Sequence, residues 1–319
     1  MDALSDVLRI ANLTGGVFLH AEFFAPWCVN SQLSPEDCSP FLGPAAHLIL
    51  YHYIAEGELL FRVEGSEAEP MRLRAGEVIL LPRNDRHVLG SDVTLAPVDG
   101  HTLIHPFDRG GLFTIHHGGN GALTRLICGF LGCDSADGNP IFATLPPALH
   151  LHVEQAGAAE WIRSTFQFAA DEISAGRPGS ESVLAKLSEL LFVEAVRRYA
   201  ENLPEDETGW LAGLRDPYVS RTLALFHREV THPWTMDEVA RAVGLSRSAL
   251  ADRFTRLIGT APMHYLASWR MQMARQRLRS TPASLAQVAE AVGYESEAAF
   301  SRAFKKAFGV APATWRRSR

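Results

Sequence analysis

The chain is poor in cysteine, with only Cys28, Cys38, Cys128 and Cys133 in 319 residues. That is too few for a disulfide framework in a chain of this length, so they read as inert thiols, a redox pair or metal ligands. It also lacks any apolar run approaching the eighteen or so residues of a membrane helix, and no membrane partner is expected. The first residues, MDALSDVLRI, begin acidic and lack a basic stretch followed by an apolar one, so no secretory signal is expected and the reading is cytoplasmic. What is present is an ordinary globular composition, 47% hydrophobic and 21% charged, with length for two or three domains and real cores.

The net charge of −6 is unevenly spread. From Pro217 onward there are 16 Lys and Arg against 7 Asp and Glu, a net +9; the residues before it carry 14 against 29, a net −15. A basic tail on an acidic body suits a polyanionic partner for the tail.

Within that tail the chain writes one pattern twice. Thr235–Met236–Asp237–Glu238 and Ser284–Leu285–Ala286–Gln287 are both capping boxes, in which the hydroxyl accepts from the N3 amide and the Glu or Gln reaches back. Val239-Ala240 and Val288-Ala289 follow, then Ala242-Val243-Gly244 and Ala291-Val292-Gly293: a short helix with a small-residue face, stopped by glycine. Ser246 and Ser296 stand where a second helix would be capped, and Leu250/Phe254 and Phe300/Phe304 give that helix an apolar stripe. One extra residue in the second turn lengthens the offset between copies from 49 to 50. Short helix, glycine turn and capped helix make a helix-turn-helix, expected at about 235–258 and again at about 284–308. Between them, Leu266, Trp269, Met273, Ala274 and Leu278 follow helical spacing, so 262–280 reads as one connecting helix able to hold two recognition helices against successive grooves.

These residues resemble the DNA-binding domain of the AraC/XylS transcriptional regulators, in GWLAGLRDP, SRSALADRFTRLIGTAPMHYLASWRM and VGYESEAAFSRAFKKAFGVAPATWR. The resemblance implies two helix-turn-helix units on a long helix, bound to promoter DNA, with RNA polymerase a further partner of an activator. Resemblance and helix geometry together place Arg247, Ser248, Ala251 and Asp252 on the base-facing side of the first recognition helix, and Glu297, Ala298, Ser301 and Arg302 on the second. Arginine can read guanine, and a carboxylate can accept from cytosine. Asp252 is acidic where some relatives are basic; it reads either as a base contact or as an ion pair with Arg256 one turn on. Arg253, Arg256, Lys305, Lys306 and Arg316 are candidates for phosphates, which supply affinity and salt dependence rather than sequence choice.

The N-terminal half reads as strands: HLILYHYIAEGELLFRVEG alternates, and MRLRAGEVILLPRNDRHVL, LFTIHH and LTRLICGFLGC continue in short apolar runs between Gly and Pro turns. RAGEVILLPRNDRH resembles the second motif of cupins, and with YHYIAEG and HHGGNGALTRLICG the region from roughly residue 5 to 145 resembles the cupin-type sensor domain of one AraC subgroup. The enzyme-type cupin pattern, His-x-His with a downstream Glu, is missing. What remains for a metal is His52, His87 and Cys128, a set that would suit zinc or another transition metal; the alternative is interior histidines bonded to backbone or effector. The cysteines raise a redox signal as a further option.

From 151 to 203 the period turns helical, with Trp161, Phe166, Phe168 and Ile173 in one segment and Leu184, Leu187, Leu191 and Val193 in the next. The second is apolar over a broad arc, which suits packing on the barrel and a homodimer contact. The expected organisation is α+β and multidomain: a cupin-like β-barrel sensor at 1–149, a helical dimerisation and linker segment at 150–203, and an all-α DNA-binding domain at 204–319. The expected function is a cytoplasmic, DNA-binding transcriptional regulator, nucleoid-associated on DNA, responding to an unknown small molecule, metal or redox signal. The competing class is a cupin metalloenzyme, oxygenase-like, with an accessory helical domain. No catalytic residue is assigned.

Overall fold

The computed structural model describes residues 2–34, 38, 47–104, 113–133, 138–151, 164–166, 168–169, 172 and 178–317. Trp161 and Ile173 lie outside them. The chain divides into two compact units: one holds residues 12–136 and 145–199, the other residues 1–11, 137–144 and 200–319.

The first unit is built on strands β1 (Thr14–Phe24), β2 (Cys28–Ser31), β3 (His47–Glu56), β4 (Glu58–Val63), β5 (Met71–Arg74), β6 (Val78–Leu81), β7 (His87–Gly90), β8 (Val98–Asp99), β9 (Phe113–Gly118), β10 (Leu123–Cys133) and β11 (Leu149–Leu151). They form two mixed sheets, ordered β11-β6-β3-β10-β1-β9 and β5-β4-β7-β2-β8. Most neighbours are antiparallel; β1–β9 and β2–β8 run parallel. Among the described residues no strand pairing joins the two sheets, so the expected barrel takes the form of two packed sheets. Alternate residues of each sheet fill the space between them: Ala21, Leu50, Ile54 and Leu126 from one, Leu59, Phe61, Leu73 and Leu89 from the other.

β3 is buried along most of its length, on both faces. Leu48, Leu50 and Ile54 point into the shared core. Between them in sequence, Tyr53 stacks on Phe166 at 4.1 Å, and the Tyr51 hydroxyl bonds Ser188 at 2.9 Å. Phe166 is helical, and Ser188 sits on the 22-residue helix α3 (Ser180–Glu201), so helix covers the outer face of the six-stranded sheet. That coverage is why β3 reads as a nearly continuous apolar run. At the β3–β4 turn, Gly57 has φ +80°, and a Cβ there would lie 2.4 Å from the Leu123 carbonyl oxygen, so only glycine fits.

The second unit is helical. α1 (Ala3–Ala11) and the short α2 (Pro140–Thr144) join α4 (Trp210–Arg215), α5 (Pro217–Arg228), α6 (Met236–Val243), α7 (Arg247–Ile258), α8 (Pro262–Ser280), α9 (Leu285–Ala291), α10 (Glu297–Phe308) and α11 (Pro312–Arg317). Both capping boxes are closed as expected: Thr235 accepts from Glu238 N and Ser284 from Gln287 N, with the N3 side chains returning the bond. α6 ends at Gly244, left-handed at φ 82°, and Gly293 at φ +79° occupies the matching place after α9. Glu295 is the extra residue of the second turn.

α8 serves two cores. Tyr265, Leu266 and Trp269 are buried toward its start, where the Tyr265 ring meets Phe226 and Phe254. Met271, Ala274 and Leu278 pack with Val288, Ala289, Phe300 and Phe304 toward its end. One rigid helix, its side chains shared between both helix-turn-helix units, fixes their mutual setting. No helix among the described residues is long and apolar enough to cross a membrane.

Candidate nucleic-acid interface and effector pocket

The two second helices, α7 and α10, are twelve residues each and are anchored alike. Ser246 and Ser296 cap them, accepting from Ala249 N and Ala299 N at 3.2 Å. Leu250 and Phe254 bury one side of α7, and Phe300 and Phe304 bury the same side of α10. The opposite side stays open. Arg247, Ser248 and Asp252 are exposed on α7 with Ala251 half-buried; Glu297, Ala298 and Arg302 are exposed on α10 with Ser301 half-buried. Each helix thus presents a four-residue edge, three of the four polar, away from its own core, the geometry a major groove needs.

Arg247 lies 3.8 Å from Asp237 with both side chains about two-thirds exposed, a loose surface pair that leaves the guanidinium available. Among the described residues no ion pair joins Asp252 to Arg256.

The five phosphate candidates divide. Arg256, Lys305 and Lys306 are exposed. Arg253 instead donates from Nε to Asp216 at 2.6 Å, with its guanidinium over the Tyr218 ring; Asp216 also caps α5 through the amides of Tyr218 and Val219. Arg316 donates to the Ala283 carbonyl at 2.6 Å, tying α11 to the start of α9. Nothing in the local sequence marks these two apart from the other three, because their partners are 37 and 33 residues away.

In the two-sheet unit the core opens into a cavity of about 390 Å³. Leu19, Ala21, Leu50, Ile115, Leu126 and Phe130 form most of its wall; Asn30, Ser31 and His101 add polar edges. No Asp, Glu, Lys or Arg lines it among the described residues. The polar edge residues escape sequence reasoning because they come from loops and strand ends without a motif.

His52 and Cys128 share this wall, and the structure brings the sequence-predicted trio together. His52 and Cys128 are directly paired across β3 and β10, and His87 faces them from β7 of the other sheet. His87 Nδ1 donates to the Asp85 carbonyl at 2.9 Å, which leaves its Nε2 to accept from His52 Nε2 at 2.8 Å. His52 Nδ1 then accepts from the Cys128 thiol at 2.9 Å. One protonation pattern, all groups neutral, satisfies the chain. Burial enforces it: His52 is held well below the ordinary histidine range, the nearby His87 adding to the effect; His87 is pushed down to about 4 by burial, and Cys128 up to about 12.

This arrangement does not suit a metal. Two imidazole nitrogens on one tetrahedral zinc stand roughly 3.3 Å apart, whereas these are 2.8 Å apart and share a proton. Cys128 meets the far nitrogen of His52, so the three donors do not converge on one point. No group of three His, Cys, Asp or Glu is placed to hold a metal ion among the described residues. A thiol at about 12 is also a poor nucleophile toward oxidants. His116 and His117, adjacent on β9, end in the Gly118 turn; His116 pairs with Glu22 at 3.2 Å.

Two exposed recognition edges on a common connector, carried in one chain with a two-sheet unit enclosing a cavity, define a helix-turn-helix transcription regulator with a cupin-type N-terminal region. Comparison with known proteins agrees. A cupin family model matches residues 2–201, and a helix-turn-helix domain model matches residues 239–318. An AraC-like transcription regulator of Streptomyces antibioticus is 33% identical over 320 residues, with 99% of each chain covered. A second, from Streptomyces lividans, is 31% identical over 99% of this chain and 98% of that one. The HTH-type transcriptional regulator AlkR of Acinetobacter baylyi is 28% identical, again over 99% of both. The chain belongs to the AraC-like transcription regulators: it binds DNA and is not an enzyme.

Proposed function

We propose that the chain is a ligand-responsive regulator, and that its signal is a small, uncharged, largely apolar molecule held in the cavity between the two sheets. The observation that carries this reading is the cavity wall itself, apolar over most of its area and without an Asp, Glu, Lys or Arg side chain among the described residues. A charged ligand would leave water for a site that offers it no counter-charge, at a cost of several kcal/mol or more. Asn30 and Ser31 supply polar groups to orient one polar end, while the His101 ring is already bonded to the Gln32 carbonyl at 2.6 Å. A metal or a thiol oxidation as the signal is less well supported, given the closed proton chain from Cys128 to Asp85.

In this reading the sensor is the two-sheet part of the expected 1–149 region, whose residues 1–11 and 137–144 instead join the helical unit; the helical segment 150–203 dimerises, and 204–319 bind promoter DNA. Arg247, Ser248, Ala251, Asp252, Glu297, Ala298, Ser301 and Arg302 face bases. Arg256, Lys305 and Lys306 face phosphates, with Arg253 and Arg316 giving the backbone whatever donors the fold leaves over. Val183 and Leu190, two turns apart on α3 and 37% and 47% exposed, support a helix-to-helix homodimer contact. An activator of this build would meet RNA polymerase on the promoter, in the cytoplasm.

The test is to fill the cavity. Ala21 is fully buried on its wall, and Ala21→Phe takes up part of the volume at a packing cost of about 1–3 kcal/mol. The variant is expected to bind operator DNA as before in a gel-shift titration, and to lose the small molecule that native mass spectrometry finds on the wild-type chain. If wild type and variant carry the same bound molecule, the cavity is not the signal site.

A further inference from the structure

The helical unit holds a second cleft, independent of the cavity between the sheets, with a volume of about 350 Å³. Pro140 and Ala143 of α2 form one side, Trp210 of α4 and Ile258 of α7 the next, and Tyr265, Trp269 and Gln272 of α8 the floor. Most polar groups around it are already spent. Trp210 Nε1 donates to the Tyr265 hydroxyl at 2.9 Å, which in turn bonds His227 Nε2 at 2.8 Å. Thr144 donates to the carbonyls of Pro140 and Ile141, and Thr260 bonds His264.

Two buried polar atoms are not spent. Trp269 Nε1, on a side chain only 4% exposed, and Gln272 Oε1 are both buried with no partner in the protein. They are one donor and one acceptor, three residues apart on the same side of α8, and both residues line the cleft. Buried orphans of this kind are rare in folded proteins and call for a reason. Trp269 is held in place by its stack on His227, 3.8 Å between ring centroids and nearly parallel.

We propose that this cleft is a second ligand site, for a small uncharged molecule of the amide or lactam class. Its carbonyl accepts from Trp269 Nε1 and its N–H donates to Gln272 Oε1, while its carbon skeleton lies against Pro140, Ala143, Ile258 and the aromatic rings. A charged occupant is disfavoured, because no Asp, Glu, Lys or Arg lines the cleft among the described residues. The consequence is regulatory. A molecule seated here touches α2, α4, α7 and α8 together, and α7 carries the base-facing edge. Binding stabilises that one arrangement by mass action and shifts DNA affinity to the extent that the two bound states differ.

The probe is 2-piperidone, a lactam that presents carbonyl and N–H side by side. It is titrated into the full chain labelled with ¹⁵N at tryptophan, and the indole N–H signals are followed; Trp269→Phe, which keeps an aromatic ring but loses the donor, identifies the Trp269 signal. The expected result is a saturable shift of that signal, weakened ~10-fold in Gln272→Leu, weaker for cyclohexanone, which has no N–H, and lost in Ala143→Phe, which fills the cleft. Ala21→Phe, in the other cavity, leaves it unchanged. The proposal is overturned if the Trp269 signal does not move, if it moves equally in Gln272→Leu, or if Ala21→Phe abolishes the response, which would place the lactam between the sheets.

Discussion

Single side chains here carry opposite tasks according to which face of an element they occupy. Arg247 stands at the exposed start of α7 with only a loose pairing to Asp237, so its guanidinium is available to a guanine edge. Arg247→Ala is expected to weaken binding to the operator by about 1–3 kcal/mol while leaving binding to scrambled DNA nearly unchanged; equal losses in fluorescence anisotropy on both duplexes would contradict base reading. His87 works at the other extreme, fully buried and uncharged. Its ordinary value of 6.5 applies to the unfolded chain and about 4 to the folded one. Between those limits the unfolded chain binds a proton the folded chain refuses. Stability from this group is therefore intact above pH 6.5 and declines as acid is added, by about 3 kcal/mol at pH 4. Urea unfolding should show a midpoint that falls between pH 7 and pH 5, and falls less in His87→Gln, whose side chain has no proton to gain. A wild-type midpoint flat across that interval would contradict the neutral chain from Cys128 to Asp85.

Elements made from local rules were readable; elements made by distant partners were not. The capping boxes at Thr235 and Ser284, the glycine stops and the serine caps of α7 and α10 each need only residues within a turn, and the repeat announced all of them. The trio His52, His87 and Cys128 was legible as a cluster, because strand register puts residue types together. Its chemistry was not, because a shared proton and a shared metal draw on the same residues and differ by fractions of an ångström. Nor do the nine residues of α1, with Ala3, Val7 and Ala11 buried, say which surface buries them; the contacts are with α5 and α8, more than two hundred residues on. Arg253 is the sharpest case. Its sequence position suits a phosphate contact, while its Nε is committed to Asp216, itself the cap of α5. Arg253→Ala should therefore lower thermal stability as well as affinity, since it strips a partner from a nearly buried carboxylate. Lys306→Ala, on the exposed end of α10, should leave the melting temperature alone and reduce the salt slope of binding by about one phosphate. Calorimetry and a salt titration on the two variants separate the roles; equal melting temperatures would return Arg253 to the phosphate group.

For the molecule as a whole the net charge of −6 is a poor guide to its dealings with DNA, because the sign changes along the chain. Residues 217–319 alone carry +9, and each phosphate they neutralise steepens the fall of log affinity with log salt by ~0.9. Assembly state enters through the same slope. A dimer joined through α3 brings two sets of recognition helices to one operator, so its slope counts both sets of contacts. Leu190 is nearly half exposed on α3 and makes no part of the buried core, which means Leu190→Asp costs the folded monomer little while placing a charge where a symmetric helix pair would meet itself. The variant is expected to sediment as a monomer, keep its melting temperature, and bind operator with roughly half the wild-type salt slope. Sedimentation velocity and anisotropy at several salt concentrations read these independently. A monomer with an undiminished slope would mean that one set of α7 and α10 carries all the phosphate contacts and that the pairing serves something other than DNA affinity; a variant that stays dimeric would move the contact off this face of α3.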